Sequence, residues 1–210
     1  YRTRFLSEFG EMVLCYDSRH YWRRDYFPEY KHSRRKSRGT DDKNWDIIFN
    51  CLNTIKEEIK SNMPYKSVEV YGAEADDVIA TLCSESSNEV MILSGDKDFI
   101  QLQKFPNVKQ YSPITKKMIN GMNPDDYLKE HVLKGDTSDG VPNVLSPDNT
   151  FVDGIRQRPL SKKKIATMVE GNFPNDEVKR NYQRNRKLID LTCSPDELRS
   201  EILDTYKSAP

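Results

Sequence analysis

Short apolar runs and amphipathic helical stretches alternate along residues 1–122, and that alternation leaves very few fold classes open. "EMVLCYD" (11–17), "KSVEVY" (66–71), "EVMIL" (89–93) and "NVKQYS" (107–112) each read as a short buried strand. Between them, "NWDIIFNCLNTIKEEIKSNM" (44–63) spaces Ile48, Cys51, Leu52, Ile55 and Ile59 for one helical face and stops before Pro64. "AEADDVIATLCSES" (73–86) and "FIQLQKF" (99–105) predict two more helices, and residues 2–10 a short one ending at Gly10. This order predicts an α/β fold with a mostly parallel central sheet, right-handed crossovers and flanking helices. From "NPDDYLKEHVLKG" (123–135) onward the pattern is helical, broken by a loop at 143–160. The expected organisation is an α/β core at 1–122, containing a basic, aromatic segment at 18–43 with a mobile basic loop, followed by a helical region at 123–210.

Three of the predicted strands run into acids at their carboxyl ends. Asp17 closes the first, Glu74, Asp76 and Asp77 follow the second, and Asp96 and Asp98 follow the third. Open parallel sheets bind ligands at that edge. Each acid has a structural alternative when taken singly: a turn for Asp17, a helix N-terminus for Asp76 and Asp77, a cap for Asp96. Jointly they pose an electrostatic problem, because two carboxylates about 4 Å apart repel by roughly 4 kcal/mol at an effective dielectric near 20. Lys97 is the one basic residue between positions 69 and 98, and no histidine or cysteine pair accompanies the acids with metal-ligand spacing. An all-oxygen donor set favours Mg²⁺ or Mn²⁺ over zinc, and paired ions of that kind perform phosphoryl transfer. A further pair, Asp136 and Asp139, sits in "KGDTSDGVP".

Charge supports a polyanionic partner. The 33 basic and 33 acidic residues cancel, but they are not mixed evenly. Residues 19–38 carry eight Lys/Arg against two acids, residues 69–98 eight acids against one lysine, and residues 156–187 ten Lys/Arg against three acids. An acidic centre flanked by basic stripes suits a metal site that holds phosphate-bearing chains. Four scattered cysteines indicate neither a disulfide framework nor zinc, and no apolar run reaches the ~20 residues that span a bilayer, so the expectation is a cytoplasmic protein without membrane contact.

"YGAEADDVIATL", "ILSGDKDFIQL" and "LKGDTSDGVP", in that order, resemble the acidic motifs of the flap-endonuclease and 5′-to-3′ exonuclease family. "YWRRDYFPEYKHSR", "FPNVKQYSP" and "KLIDL" extend the likeness to its phage ribonuclease H branch over nearly the whole chain. The resemblance implies a PIN-like nuclease core with a helix-hairpin-helix-like duplex-binding region behind it. It implies Mg²⁺-dependent hydrolysis of phosphodiester bonds in RNA–DNA hybrids, 5′ flaps or duplex DNA, removing primers during replication. Two Mg²⁺ ions are implied, with Mn²⁺ able to substitute. Asp17, Glu74, Asp76 and Asp96 are then first-metal ligands, and Asp98, Asp136 and Asp139 the second-metal group, with Asp77 in support. Segment 18–43 would form an arch, with Arg23 and Lys31 as catalytic cations and Arg24, Arg34 and Arg35 as further nucleic-acid contacts. Ser161 would start a helix whose Lys162, Lys163 and Lys164 grip duplex phosphates. Branched or 5′-ended duplex DNA is the implied partner, with a single-strand binding protein or sliding clamp assisting. The family's first strand, which ends in an aspartate, and its C-terminal extension are expected to lie outside these 210 residues. That expectation motivates a second hypothesis, a non-catalytic binder of branched nucleic acid. A third is a metal-dependent glycosyltransferase or phosphatase, against which the basic stripes and later acidic motifs weigh.

Overall fold

The computed structural model describes residues 1–40 and 42–209; the side chains of residues 35–37 and 40 lie outside that description. Helix α1 (Arg2–Phe9) leads into strand β1 (Val13–Cys15), which pairs in parallel with β2 (Lys66–Val68) in the register Val13 to Lys66 and Cys15 to Val68. Between them run α2 (Trp22–Tyr26), α3 (His32–Thr40) and α4 (Trp45–Asn62). Helix α5 (Ala75–Glu85) then crosses to β3 (Val90–Leu93), a 3-10 helix (Lys97–Lys104) follows, and β4 (Val108–Ser112) pairs in parallel with β3.

The sequence pattern placed α1, β1, α4, α5, β3, the 3-10 helix and β4 within a residue or two, while β2 stops at Val68, three residues short of its expected end. Asn44 caps α4 by accepting from Ile47 N at 3.1 Å, and Glu74 and Asp77 close a reciprocal capping box at the start of α5. Two further features depart from expectation. The strands form two small sheets, β1–β2 and β3–β4–β5, and β5 (Lys117–Ile119) is antiparallel. Three residues with two exposed side chains give no alternation to read, and the turn before them depends on Lys116 at φ 55°. Within segment 18–43, residues 32–40 form helix α3 in place of the expected mobile loop.

Four helices follow: α6 (Pro124–Lys134), α7 (Lys162–Val169), α8 (Asp176–Ile189) and α9 (Asp196–Ser208). Asn123, Ser161 and Asn175 cap the first three. The last part of the chain returns to the α/β core. Leu191 packs with Ala80, Cys83, Ile92, Phe99, Leu102 and Val108, and Leu198 and Ile202 of α9 pack with Val68, Val70 and Val78. Phe27 and Tyr30, from the segment after α2, are buried against Val132 of α6 and Leu188 and Ile189 of α8. These contacts fix segment 18–31 over the edge where the strands end.

Candidate metal centre and its basic rim

The strand-end acids converge. One cleft of about 450 Å³ is lined by Asp17, Asp76, Asp96, Asp98, Asp136 and Asp139, with Lys31, Arg34, Tyr127 and His131 around them. Asp17 follows β1 and accepts from Ala75 N at 2.7 Å, which ties the first acid to the start of α5. Asp96 caps the 3-10 helix by accepting from Asp98 N at 3.0 Å. Gln110, buried on β4, donates to the carbonyls of Ser94 and Asp96 at 3.0 and 2.6 Å and fixes the peptide between β3 and Asp96.

Asp136 and Asp139 come from the loop after α6. Asp136 Oδ1 accepts from Ser138 N and Asp139 N at 2.8 and 3.2 Å, a closed acidic turn. Gly135 makes that turn possible. Its φ is +70°, and an added Cβ would lie 2.4 Å from Val141 O and 2.6 Å from Pro142 C.

Adjacent residues in "AEADD" serve opposite sides. Asp76 faces the cleft, whereas Asp77 is fully buried and accepts from Arg23 Nη1 at 2.8 Å, Ser194 Oγ at 2.6 Å and Trp22 Nε1 at 3.3 Å. Glu74, expected as a metal ligand, is 5% exposed and stands behind the cleft wall. Its carboxylate is held by Arg23 at 2.9 Å, by Tyr30 Oη at 3.2 Å and by a close ion pair with Lys31.

Arg23 corrects an expectation. It is 1% exposed and donates to Glu74, Asp77 and Leu188 O, so it cannot reach a phosphate in the cleft. Instead it floors the site: a small space of about 10 Å³ separates it from Asp76, Asp98, Asp136 and Asp139. Lys31 and Arg34 do line the cleft and pair with Asp139, Lys31 Nζ at 3.6 Å and Arg34 in a close contact. Arg24 is exposed outside the cleft, and the Arg35 side chain lies outside the described residues. Lys162, Lys163 and Lys164 are exposed at the N-terminus of α7, where Lys164 N donates to Ser161 Oγ at 3.3 Å. Of the aromatics in 21–30, Phe27 and Tyr30 are buried and Tyr26 is half exposed.

The electrostatics follow from burial and crowding. Burial, then the neighbouring Glu74, raises the Asp76 carboxyl to about 7. Burial, then Asp96 and Asp136, raises Asp98 to about 7 as well. Burial alone would push Asp77 upward, but the Arg23 charge and hydrogen bonds outweigh it and hold the carboxyl low. His131 is held below its ordinary value by burial. Two of the cleft carboxyls, Asp76 and Asp98, are therefore partly protonated near neutral pH, and a bound cation would compete with those protons.

His131 carries a signal that sequence reasoning missed. Its ring and the carboxylates of Asp98 and Asp136 offer three donor atoms within 4.8 Å of one another. The histidine lies five residues before Asp136 and stacks edge-on with Tyr127, one helical turn earlier, at 5.6 Å between centroids. The donor set of carboxylate oxygens with one imidazole fits divalent cations.

Comparison with known proteins gives a consistent result. The family model described as 5′-3′ exonuclease, N-terminal resolvase-like domain, matches residues 3–132. The ribonuclease H of Enterobacteria phage T4 is 35% identical over 217 aligned residues, covering 95% of this chain and 70% of that protein. The flap endonuclease Xni of Shewanella sp. (strain MR-4) is 29% identical over 134 residues, 59% of this chain and 48% of that protein. In fold, the chain resembles the bacteriophage T5 D15 flap endonuclease solved as a pseudo-enzyme–product complex with DNA and metal ions. That likeness has a TM-score of 0.64 at 17% identity and covers 94% of this chain and 85% of that one.

Proposed function

The chain belongs to the 5′-3′ exonuclease family, and from that membership we propose that its acidic cleft is the centre of a Mg²⁺-dependent 5′ nuclease acting on 5′-ended or branched duplexes. The observation that carries this reading is the convergence of Asp17, Asp76, Asp96, Asp98, Asp136 and Asp139 from four separate chain segments on one cleft rimmed by Lys31 and Arg34. Five or six ionised carboxylates at such range cannot coexist without divalent counter-ions.

In this reading Asp17, Asp76 and Asp96 would hold the first ion and Asp98, Asp136 and Asp139 would hold or hydrate the second; all six line the same cleft. Bound there, two Mg²⁺ ions supply Lewis acidity at a phosphate oxygen and lower the pKa of water. The chain's own residues do the rest. Lys31 and Arg34 stand at the mouth, where a scissile phosphate would exchange with Asp139 as their partner. Arg23 and Tyr30 hold the Glu74 carboxylate by hydrogen bonds behind the cleft wall, so the start of α5 and Asp76 hold their position. Exposed Lys162, Lys163 and Lys164 supply sequence-independent contacts along the duplex behind the cut.

RNA–DNA hybrids, 5′ flaps and duplex DNA are the substrates of this reading, with a single-strand binding protein or sliding clamp as accessory partners in the cytoplasm. Among the described residues no helix is long and apolar enough to cross a membrane. The test is cleavage of a 5′-labelled flap and an RNA–DNA hybrid with Mg²⁺ and with chelator. Chelator-sensitive cleavage abolished by Asp96→Asn supports the reading; cleavage that survives Asp96→Asn removes it.

A further inference from the structure

We propose that His131 is a ligand of the second ion, which makes that subsite a mixed imidazole–carboxylate site with a preference for Mn²⁺ over Mg²⁺. The inference rests on the nuclease reading for the presence of two ions, and it departs from the all-oxygen pair expected from the acids alone.

The ring is positioned as a ligand rather than as a packed core histidine. Nδ1 is buried and makes no hydrogen bond, although Asp98 Oδ1 lies 3.4 Å away, beyond the usual hydrogen-bond length. Nε2 stands 3.9 Å from Asp136 Oδ2, beyond hydrogen-bond length. A buried imidazole nitrogen without a partner carries a desolvation cost that most histidines avoid by bonding a carbonyl or carboxylate. One ring nitrogen and one oxygen each from Asp98 and Asp136 lie within 4.8 Å of one another, close enough to share a single cation. The ring is also held from behind. It sits in the last turn of α6, against Tyr127, with the acidic turn that Gly135 permits directly after it.

The consequence is an asymmetric pair of sites. Asp17, Asp76 and Asp96 offer only oxygen, which suits Mg²⁺, a hard cation that keeps oxygen ligands and several waters. Asp98, Asp136 and His131 add one borderline nitrogen donor, which Mn²⁺ accepts more readily than Mg²⁺ does.

Pulsed electron paramagnetic resonance on the full chain loaded with two equivalents of Mn²⁺ tests this without any cleavage. The expected result is an electron-spin-echo modulation from a directly coordinated ¹⁴N nucleus that disappears in His131→Ala. Titration calorimetry adds a second measurement: His131→Gln should raise the weaker Mn²⁺ dissociation constant about tenfold or more while changing the Mg²⁺ constants by less. Absence of ¹⁴N coupling in the unaltered protein overturns the proposal, as does coupling that persists in His131→Ala and so arises at His20 or His32. Coupling lost in His131→Ala, in a protein that cuts neither flap nor hybrid, would uphold the ligand and overturn the nuclease reading instead.

Discussion

Arg23 Nη1 and Asp77 Oδ2 lie 2.8 Å apart with both side chains closed off from solvent, at 1% and 0% exposure. The same nitrogen is 2.9 Å from Glu74, so one guanidinium answers two buried carboxylates at the head of α5. Removing only the cation would strand Asp77 without a counter-charge and leave Glu74 with Lys31 alone. Arg23→Met should therefore cost roughly 3–5 kcal/mol of stability. Arg23→Met combined with Asp77→Leu should recover part of that loss, because the stranded charge is gone. Urea denaturation of the two single variants and the double variant measures the coupling. Strictly additive losses would show that the pair is incidental.

The strand-end acids were legible because each interrupts a hydrophobic period. Asp17 and Asp96 end apolar runs, and the abrupt change in pattern marks the sheet edge without reference to the rest of the chain. The need for cations was legible too, but their source was not. Lys97 is nearest in sequence yet exposed and outside the cleft; Arg23, Lys31 and Arg34 come from more than 40 residues upstream of Glu74 and Asp77 or more than 100 upstream of Asp139. A basic segment reads as surface whether its arginines meet solvent or buried acids, which is why Arg23 was misplaced. His131 was invisible for a related reason: it precedes its acidic motif by a turn of helix and shows its role only once α6 is laid against Asp98.

Gly135 sets the geometry of the second acidic group. Gly135→Ala would force a Cβ to 2.4 Å from the Val141 carbonyl in a left-handed conformation, so the loop must open. A loss of well over 1 kcal/mol is expected, together with weaker binding at the subsite fed by Asp136 and Asp139. Calorimetric metal titration separates this from a global defect. The first, tighter ion should bind nearly as before, and equal weakening of both would contradict the assignment.

Metal-free stability should fall as pH rises. Asp76 and Asp98 titrate near 7 in the folded chain and near 3.8 unfolded, so their contribution is complete below about pH 4 and lost as pH climbs through about 7. His131, held low by burial, opposes this below about pH 6.5, but one imidazole faces two carboxyls. Asp77 is held low by Arg23, so its contribution is lost only at more acid pH and does not enter this window. Thermal melts with chelator should thus decline between about pH 5 and about pH 8, whereas melts with saturating Mg²⁺ should level or rise because the ion replaces the protons. A chelated protein that stabilises with rising pH would refute the crowding of these two carboxyls.

Lys31 offers a way to separate ion binding from turnover. Its ammonium pairs closely with Glu74 and stands 3.6 Å from Asp139, and its backbone N donates to Asp139 O at 2.7 Å. In the absence of metal it supplies part of the positive charge the cluster needs. Lys31→Met should tighten divalent binding by roughly 3- to 10-fold, since a competing cation is removed. The same change should slow cleavage by about 100-fold, because the phosphate loses a donor at the mouth. A variant that binds ions less tightly would place Lys31 in a purely structural role.

Lys162, Lys163 and Lys164 occupy the first turn of α7, where the positive end of the helix dipole opposes them. Each is exposed, and no acid accompanies them in that turn, so the helix gains nothing from these lysines that glutamate would not supply better. A role toward phosphates accounts for them. Each phosphate contact contributes about 0.9 to the slope of log affinity against log salt, so replacing all three with glutamine should lower that slope by up to about 3, equally for unrelated DNA sequences. Lys60 provides the control. Its ammonium is 2.6 Å from Glu69, already paired within the protein, and Lys60→Gln should leave the slope unchanged. Fluorescence anisotropy with a labelled duplex across a salt series measures both. An unchanged slope in the triple variant would move the duplex to another face of the molecule.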